Sequence, residues 1–203
     1  MLQPQTPGAS RPNLRRLVLI ALLAAIAFLL AFLEFPVPLS PSFARLDLSD
    51  LPALLGAFLM GPLAGVSIEL VKNLLQLLTT STGGIGELAN FLIGSAFVFV
   101  AGALYTRQPT PKGARSACLA ASLAMGIAAA VVNYYILLPL FEVFMPLDQL
   151  IAAFGEFIPF IQTKLDVVLY NVLPFNLIKG LGISLITLGL LLPKLAPILH
   201  KYQ

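Results

Sequence analysis

Tryptophan is missing from these 203 residues, and cysteine and histidine occur once each. The single cysteine, Cys118, sits in an apolar run and excludes an intrachain disulfide framework. The single histidine, His200, lies in the last few residues, so histidine-based acid–base chemistry has no member at membrane depth. Charge is scarce as well. Asp, Glu, Lys and Arg together make 10% of the chain, against about 25% in a typical soluble domain. There is no Walker A run, no G-x-S-x-G, no Cys/His spacing suited to a metal, and no cluster of paired carboxylates that suggests a proton or sodium relay. These gaps leave an enzyme without a catalytic set and imply neither a bound cofactor nor a metal.

What fills the chain is apolar: 59% hydrophobic residues and a mean hydropathy of +0.95. The fold class expected is an all-α integral membrane protein. The length allows roughly six spans of about 20 residues with short loops, leaving no separate soluble domain. The spans are expected near 14–34, 49–60, 62–78, 86–105, 116–138 and 165–192, after a polar tail over 1–13. The rival reading of the first run is a signal peptide. The stretch Leu17–Leu33 is longer than the usual 7–15-residue signal core, which favours a retained helix. Ser49 reads as an N-cap with Pro52 in the first turn, and Gly61-Pro62 ends the short second segment. Residues 107–115 read as a basic linker, and 141–163 as an acidic connection with room for a short interfacial helix. Pro174 is expected to kink the last span.

Charge sets the orientation. With both termini cytoplasmic and six spans, Arg11, Arg15, Arg16, Arg107, Lys112, Arg115, Lys194 and Lys201 fall inside, and all nine acidic residues fall outside or within spans. That separation obeys the positive-inside rule.

Charges and amides inside the spans need a partner or a task, because each charge costs roughly 2.5–3.5 kcal/mol on insertion scales. The last span offers Asn171, Asn176 and Lys179, of which Asn176 and Lys179, three apart, share a face. They either bind ligand or serve packing, the amides bonding between helices and Lys179 snorkelling or pairing with an acid. The fourth span opens with Glu87, Asn90 and Gly94 on one stripe; Gly94 admits either a flat ligand or another helix. Glu69, Lys72 and Asn73 in the third span favour an intrahelical ion pair, with contact to a partner protein or to the ligand as the alternative. Asn133 and Tyr134, with Tyr135, lie near the outer end of the fifth span, where an aromatic belt is the plain alternative. The loop before Ser49 carries Phe43, Arg45, Leu46 and Asp47. Phe43 and Leu46 could fold back as a lid, while Asp47 could accept from ligand hydroxyls or pair with Arg45. Ala21 and Ala25 form a small-xxx-small pair in the first span. These polar groups describe an outward-facing pocket for an uncharged ligand rich in donors and acceptors, with no energy source in the chain itself.

The runs Leu46-Asp-Leu-Ser-Asp-Leu-Pro-Ala-Leu-Leu-Gly56 and Gly61-Pro-Leu-Ala-Gly65 resemble the riboflavin-specific substrate-binding (S) components of energy-coupling factor (ECF) transporters. The resemblance extends through Glu69–Leu75, Gly86–Gly94, Asn133–Leu138 and Leu173–Gly180. It implies six helices with both termini inside and riboflavin in an outer pocket under the first external loop. It also implies dependence on a membrane scaffold (T) component and two ATPases, with the S component toppling in the membrane to release vitamin in a prokaryotic cytoplasm. Asn176 and Lys179, with Asn90 and Gly94, resemble the family's flavin contacts, and Ala21/Ala25 its scaffold-facing motif. Another vitamin, such as pantothenate or folate, is the alternative within the class. A structural membrane protein is the alternative outside it.

Overall fold

A computed structural model describes residues 14–36, 45–80 and 82–191. Seven helices make up this part: α1 (Leu14–Ala31), α2 (Asp50–Met60), α3 (Pro62–Gln76), α4 (Ile85–Arg107), α5 (Pro111–Glu142), α6 (Leu147–Gly155) and α7 (Lys164–Gly189). The only extended pairing among the described residues is a two-residue antiparallel ladder, with Phe35 opposite Leu46 and Pro36 opposite Arg45. This ladder closes the loop between α1 and α2.

Four helices, α1, α4, α5 and α7, are long and apolar enough to cross a membrane. The expected second and third spans are shorter. α2 has 11 residues and α3 has 15, or about 16 and 22 Å at 1.5 Å per residue, against a hydrocarbon core of about 30 Å. Their hairpin turns at Gly61, whose φ of 92° with ψ of 169° is left to glycine, and Pro62 then opens α3 at a position that needs no N–H donor. Because α2 is half a membrane thick, its first residue lies well inside the bundle rather than at a surface.

Several boundaries differ from the sequence expectation for local reasons. α1 stops at Ala31 rather than 34, because Phe35–Pro36 joins the ladder. The basic linker is mostly helix. Thr110 caps α5 by accepting from the Gly113 N–H at 3.0 Å, and Pro111 follows at the first helical position. α5 then runs on to Glu142 through a π turn at Asn133–Leu137, directly ahead of Leu138-Pro139. α7 repeats the device: a capping box of Thr163 and Asp166, a π turn at Val168–Val172, then Leu173-Pro174. Each wide turn absorbs the donor that proline lacks, so the helix continues past it. The short helix expected in the acidic connection is α6.

The core is built from small residues at helix crossings. Ala24 and Ala27 of α1, Ala53 and Ala57 of α2, and Ala117, Ala121 and Ala129 of α5 are fully buried. Close approach of backbones through such residues is what holds helices together in lipid, where apolar burial alone gives no preference.

Candidate functional site

The buried first turn of α2 is the centre of a charged cluster. Ser49, the expected N-cap, does not cap the helix. Its hydroxyl instead accepts from Lys72 Nζ at 3.0 Å. Lys72 Nζ also meets Asp50 Oδ1 at 2.7 Å and Glu69 Oε2 at 2.7 Å, so all three ammonium donors are used. Lys72, Glu69 and Asp50 are each 0% exposed. The other oxygen of Asp50, Oδ2, is met by Lys179 Nζ of α7 at 2.9 Å. Lys179 reaches Asp47 Oδ2 as well, at 3.3 Å, while Asp47 Oδ1 accepts from the Ser49 N–H at 2.7 Å in an Asx turn. One chain of ion pairs therefore runs from the loop before α2, through α2, to α3 and α7.

Gly94 of α4 belongs to the same cluster. A Cβ there would lie 2.7 Å from Glu69 Oε2 and 3.4 Å from Asp50 Oδ1. The close approach at Gly94 is to the Glu69 carboxylate of α3. The intrahelical Glu69–Lys72 pair is present as expected. Spacing in the sequence shows no cluster of paired carboxylates, yet in the fold Asp47, Asp50 and Glu69 converge on two lysines. They lie far apart in sequence, which is why spacing alone does not show them. Asp50 was missed as a site residue. Its signal was available, since an acid opening an apolar helix too short to reach the surface has to find cations nearby.

The other expected site residues are placed as follows. Asn176, one turn from Lys179 on α7, is buried and donates to its own helix at Val172 O, 2.9 Å. Asn133 does the same on α5, to Ala129 O at 2.8 Å. The π turn holding Asn133 packs against α4 and against the matching π turn of α7. Tyr134 stands edge-on to Tyr135, with Lys164 Nζ 4.5 Å from the centre of its ring. Glu87 Oε2 accepts from Thr82 Oγ1 at 3.0 Å, bracing the loop into α4, and Asn90 is half-buried one turn further on. Leu46 is half-buried in the ladder. Phe43 lies outside the described residues. Ala21 and Ala25 are exposed on the outer face of α1, while Ala24, Ala27 and Ala31 are buried on its inner face. The structure thus brings Asp47, Gly94 and Lys179 to one cluster, sets Asn176 beside it, and keeps the alanine pair on a separate outward surface. A concavity lined by Phe58, Met60, Gly61, Tyr105 and Pro109 lies at the other end of α2, where Arg16 donates to Met60 O at 3.0 Å.

Residues 15–191 match the family described as "ECF transporter, substrate-specific component". The chain belongs to this family. This S component is 37% identical over 188 residues to the riboflavin transporter RibU of Staphylococcus aureus (strain TCH60), covering 92% of this chain and 93% of that one. It is 33% identical to the riboflavin transporter FmnP of Bacillus subtilis (strain 168), over 94% of this chain and 97% of the relative. Its fold superposes on a solved S component of a bacterial ECF transporter with a TM-score of 0.74 at 36% identity, covering 92% and 98% of the two chains. As a transporter S component it is a binding and transport protein rather than an enzyme.

Proposed function

We propose that this S component captures riboflavin from outside the cell and delivers it across the prokaryotic cytoplasmic membrane, driven by ATP that partner subunits hydrolyse. The observation that carries the reading is end-to-end similarity to riboflavin transporters, 37% identity over 92% of the chain. In this reading residues 1–203 form one S-component domain. The short α2–α3 hairpin supplies the second and third of six spans, and both termini are cytoplasmic.

The ligand site proposed lies where the loop before α2 meets α4, α5 and α7. Asn176, Asn133 and Asn90 present amides suited to the alternating carbonyl and N–H edge of isoalloxazine. Lys179 donates to a flavin carbonyl or to the ribityl chain. In the ligand-free arrangement one partner of Lys179 is Asp47, at the longer 3.3 Å and on the loop, so ligand can take over that contact while Asp50 keeps the ammonium in place. Leu46 and Asp47 cover the site, with Glu87, Gly94 and Tyr134 at its walls. The outward pair Ala21 and Ala25 is the proposed docking face for the membrane scaffold component, which carries two ATPases.

The test is the visible spectrum of the protein purified in detergent, followed by titration with riboflavin. A flavin band, and an affinity at least tenfold weaker in Asn176→Ala and Lys179→Ala, are expected. A colourless protein that binds pantothenate or folate would overturn the vitamin assignment. Unchanged riboflavin affinity in both variants would overturn the site. Ala21→Trp and Ala25→Trp are expected to keep riboflavin binding and lose co-purification with the scaffold and ATPases.

A further inference from the structure

Three buried oxygens of the charged cluster have no hydrogen-bond partner, and one of them, Asp50 Oδ2, is met by the Lys179 ammonium as an ion pair at 2.9 Å, which leaves two. Glu69 Oε1 and Asn73 Oδ1 are both buried, sit one turn apart on α3, and are both acceptors. Their two side chains are already joined once: Asn73 Nδ2 donates to Glu69 Oε2 at 3.3 Å, as well as to Glu69 O at 2.8 Å. Among the described side chains, two ammoniums serve three carboxylates here. Lys72 is divided between Asp50 and Glu69, and Lys179 between Asp50 and Asp47. An unmet buried acceptor is costly, and two on successive turns of one helix, on side chains already joined by one hydrogen bond, call for a shared donor.

We propose that Glu69 and Asn73 form a proton-binding site, with one proton held between Glu69 Oε1 and Asn73 Oδ1. The carboxylic acid then donates to the amide oxygen while the amide N–H donates back to Oε2. One hydrogen fills both vacant acceptors and brings three acids and two ammoniums to zero net charge. The groups facing Glu69 are Asp50 from α2, Lys72 from its own helix and, through Asp50, Lys179 of α7 with Asp47 beyond it. α4 presents Gly94, which has no side chain. α1 presents its buried alanines, with Arg16 engaged elsewhere on Met60 O at 3.0 Å.

The site reports to the ligand pocket through Asp50. When the proton leaves, Glu69 claims more of Lys72, and Asp50 is left to hold Lys179 harder. Lys179 is then less available to ligand, so riboflavin binding weakens as pH rises. This last step rests on the riboflavin reading above; the occupancy of the proton site does not.

Infrared spectroscopy of the purified S component with ¹³C-labelled glutamate tests the site directly. At neutral pH a protonated-carboxyl C=O band is expected, shifted by the label and by deuterium, and lost in Glu69→Gln. Riboflavin affinity measured from neutral to alkaline pH tests the link. A fall of several-fold is expected in the wild type, and in Glu69→Gln, which mimics the neutral acid, the affinity should stay within about threefold across the range. Absence of the band in the wild type would overturn the proposal, since Glu69 would then be ionised with water on its oxygens. A melting temperature raised by NaCl but not by choline chloride, and lost in Glu69→Gln, would overturn it in favour of an alkali cation. If the band is present and riboflavin does not bind at all, the proton site stands and the vitamin assignment falls.

Discussion

Two junctions hold this bundle together, and they are built on opposite principles. At one, α5 lies against α7 through small residues: Gly180 faces Ser122, Gly126 faces Leu177, and the hydroxyls of Ser122 and Ser184 are 3.3 Å apart. No charge is involved. At the other, α2, α3, α4 and α7 meet on Asp50, Glu69, Lys72 and Lys179. The first works by letting backbones approach, with many weak contacts and little penalty for any one loss. The second takes ions out of water and recovers the cost only while every partner is present. The first junction is therefore graded, and the second all-or-none. The proposed ligand site sits on the all-or-none junction, where removing or adding one contact to Lys179 shifts the others.

The comparison breaks most sharply at Lys72. Lys72→Met leaves Glu69 without a cation and Asp50 with Lys179 alone, and about 3–5 kcal/mol of stability is expected to go. Thermal unfolding in detergent measures it, and a loss below about 1 kcal/mol would mean the junction is not all-or-none. Gly180→Ala is the matching insult to the small-residue seam. Its Cβ would lie 3.1 Å from Ser122 Cα and 3.2 Å from Met125 Sδ, so a cost of about 1–3 kcal/mol is expected by the same assay. Ser184→Ala removes one interhelical hydroxyl contact and should cost about 0.6 kcal/mol, the usual worth of such a bond in a membrane. Gly182→Ala, two residues from Gly180, meets nothing within 4 Å. It is expected to be neutral or to stabilise by up to about 1 kcal/mol through helix propensity. A Gly182→Ala loss equal to that of Gly180→Ala would sink the claim that close packing, rather than glycine itself, sets the seam.

Much of this was legible in the chain before any coordinates. The apolar runs gave the all-helical membrane class. The Gly61-Pro62 break and the Glu69–Lys72 pair depend on residues within a few positions of one another, and local chemistry fixes them; the Thr110-Pro111 start is as local, yet the sequence reading placed a linker there and began the span at 116. The end of α1 was misjudged because its cause is not local: α1 stops at Ala31 where Phe35–Pro36 pairs with Arg45–Leu46. Ser49 reads as a cap by every nearby rule, yet a lysine 23 positions away takes its hydroxyl.

By itself, then, the sequence determined that the chain folds as apolar helices in a membrane, where they break, and that charges at depth would need partners. Those follow from periodicity, transfer cost and turn chemistry, all short-range. Only the tertiary structure decided which charges meet. Asp47, Asp50, Glu69, Lys72 and Lys179 span 132 positions, and no rule of spacing brings the ends of that interval together. Packing of α2, half a membrane long, against α3, α4 and α7 does so, by burying Asp50 where only the two lysines can answer it.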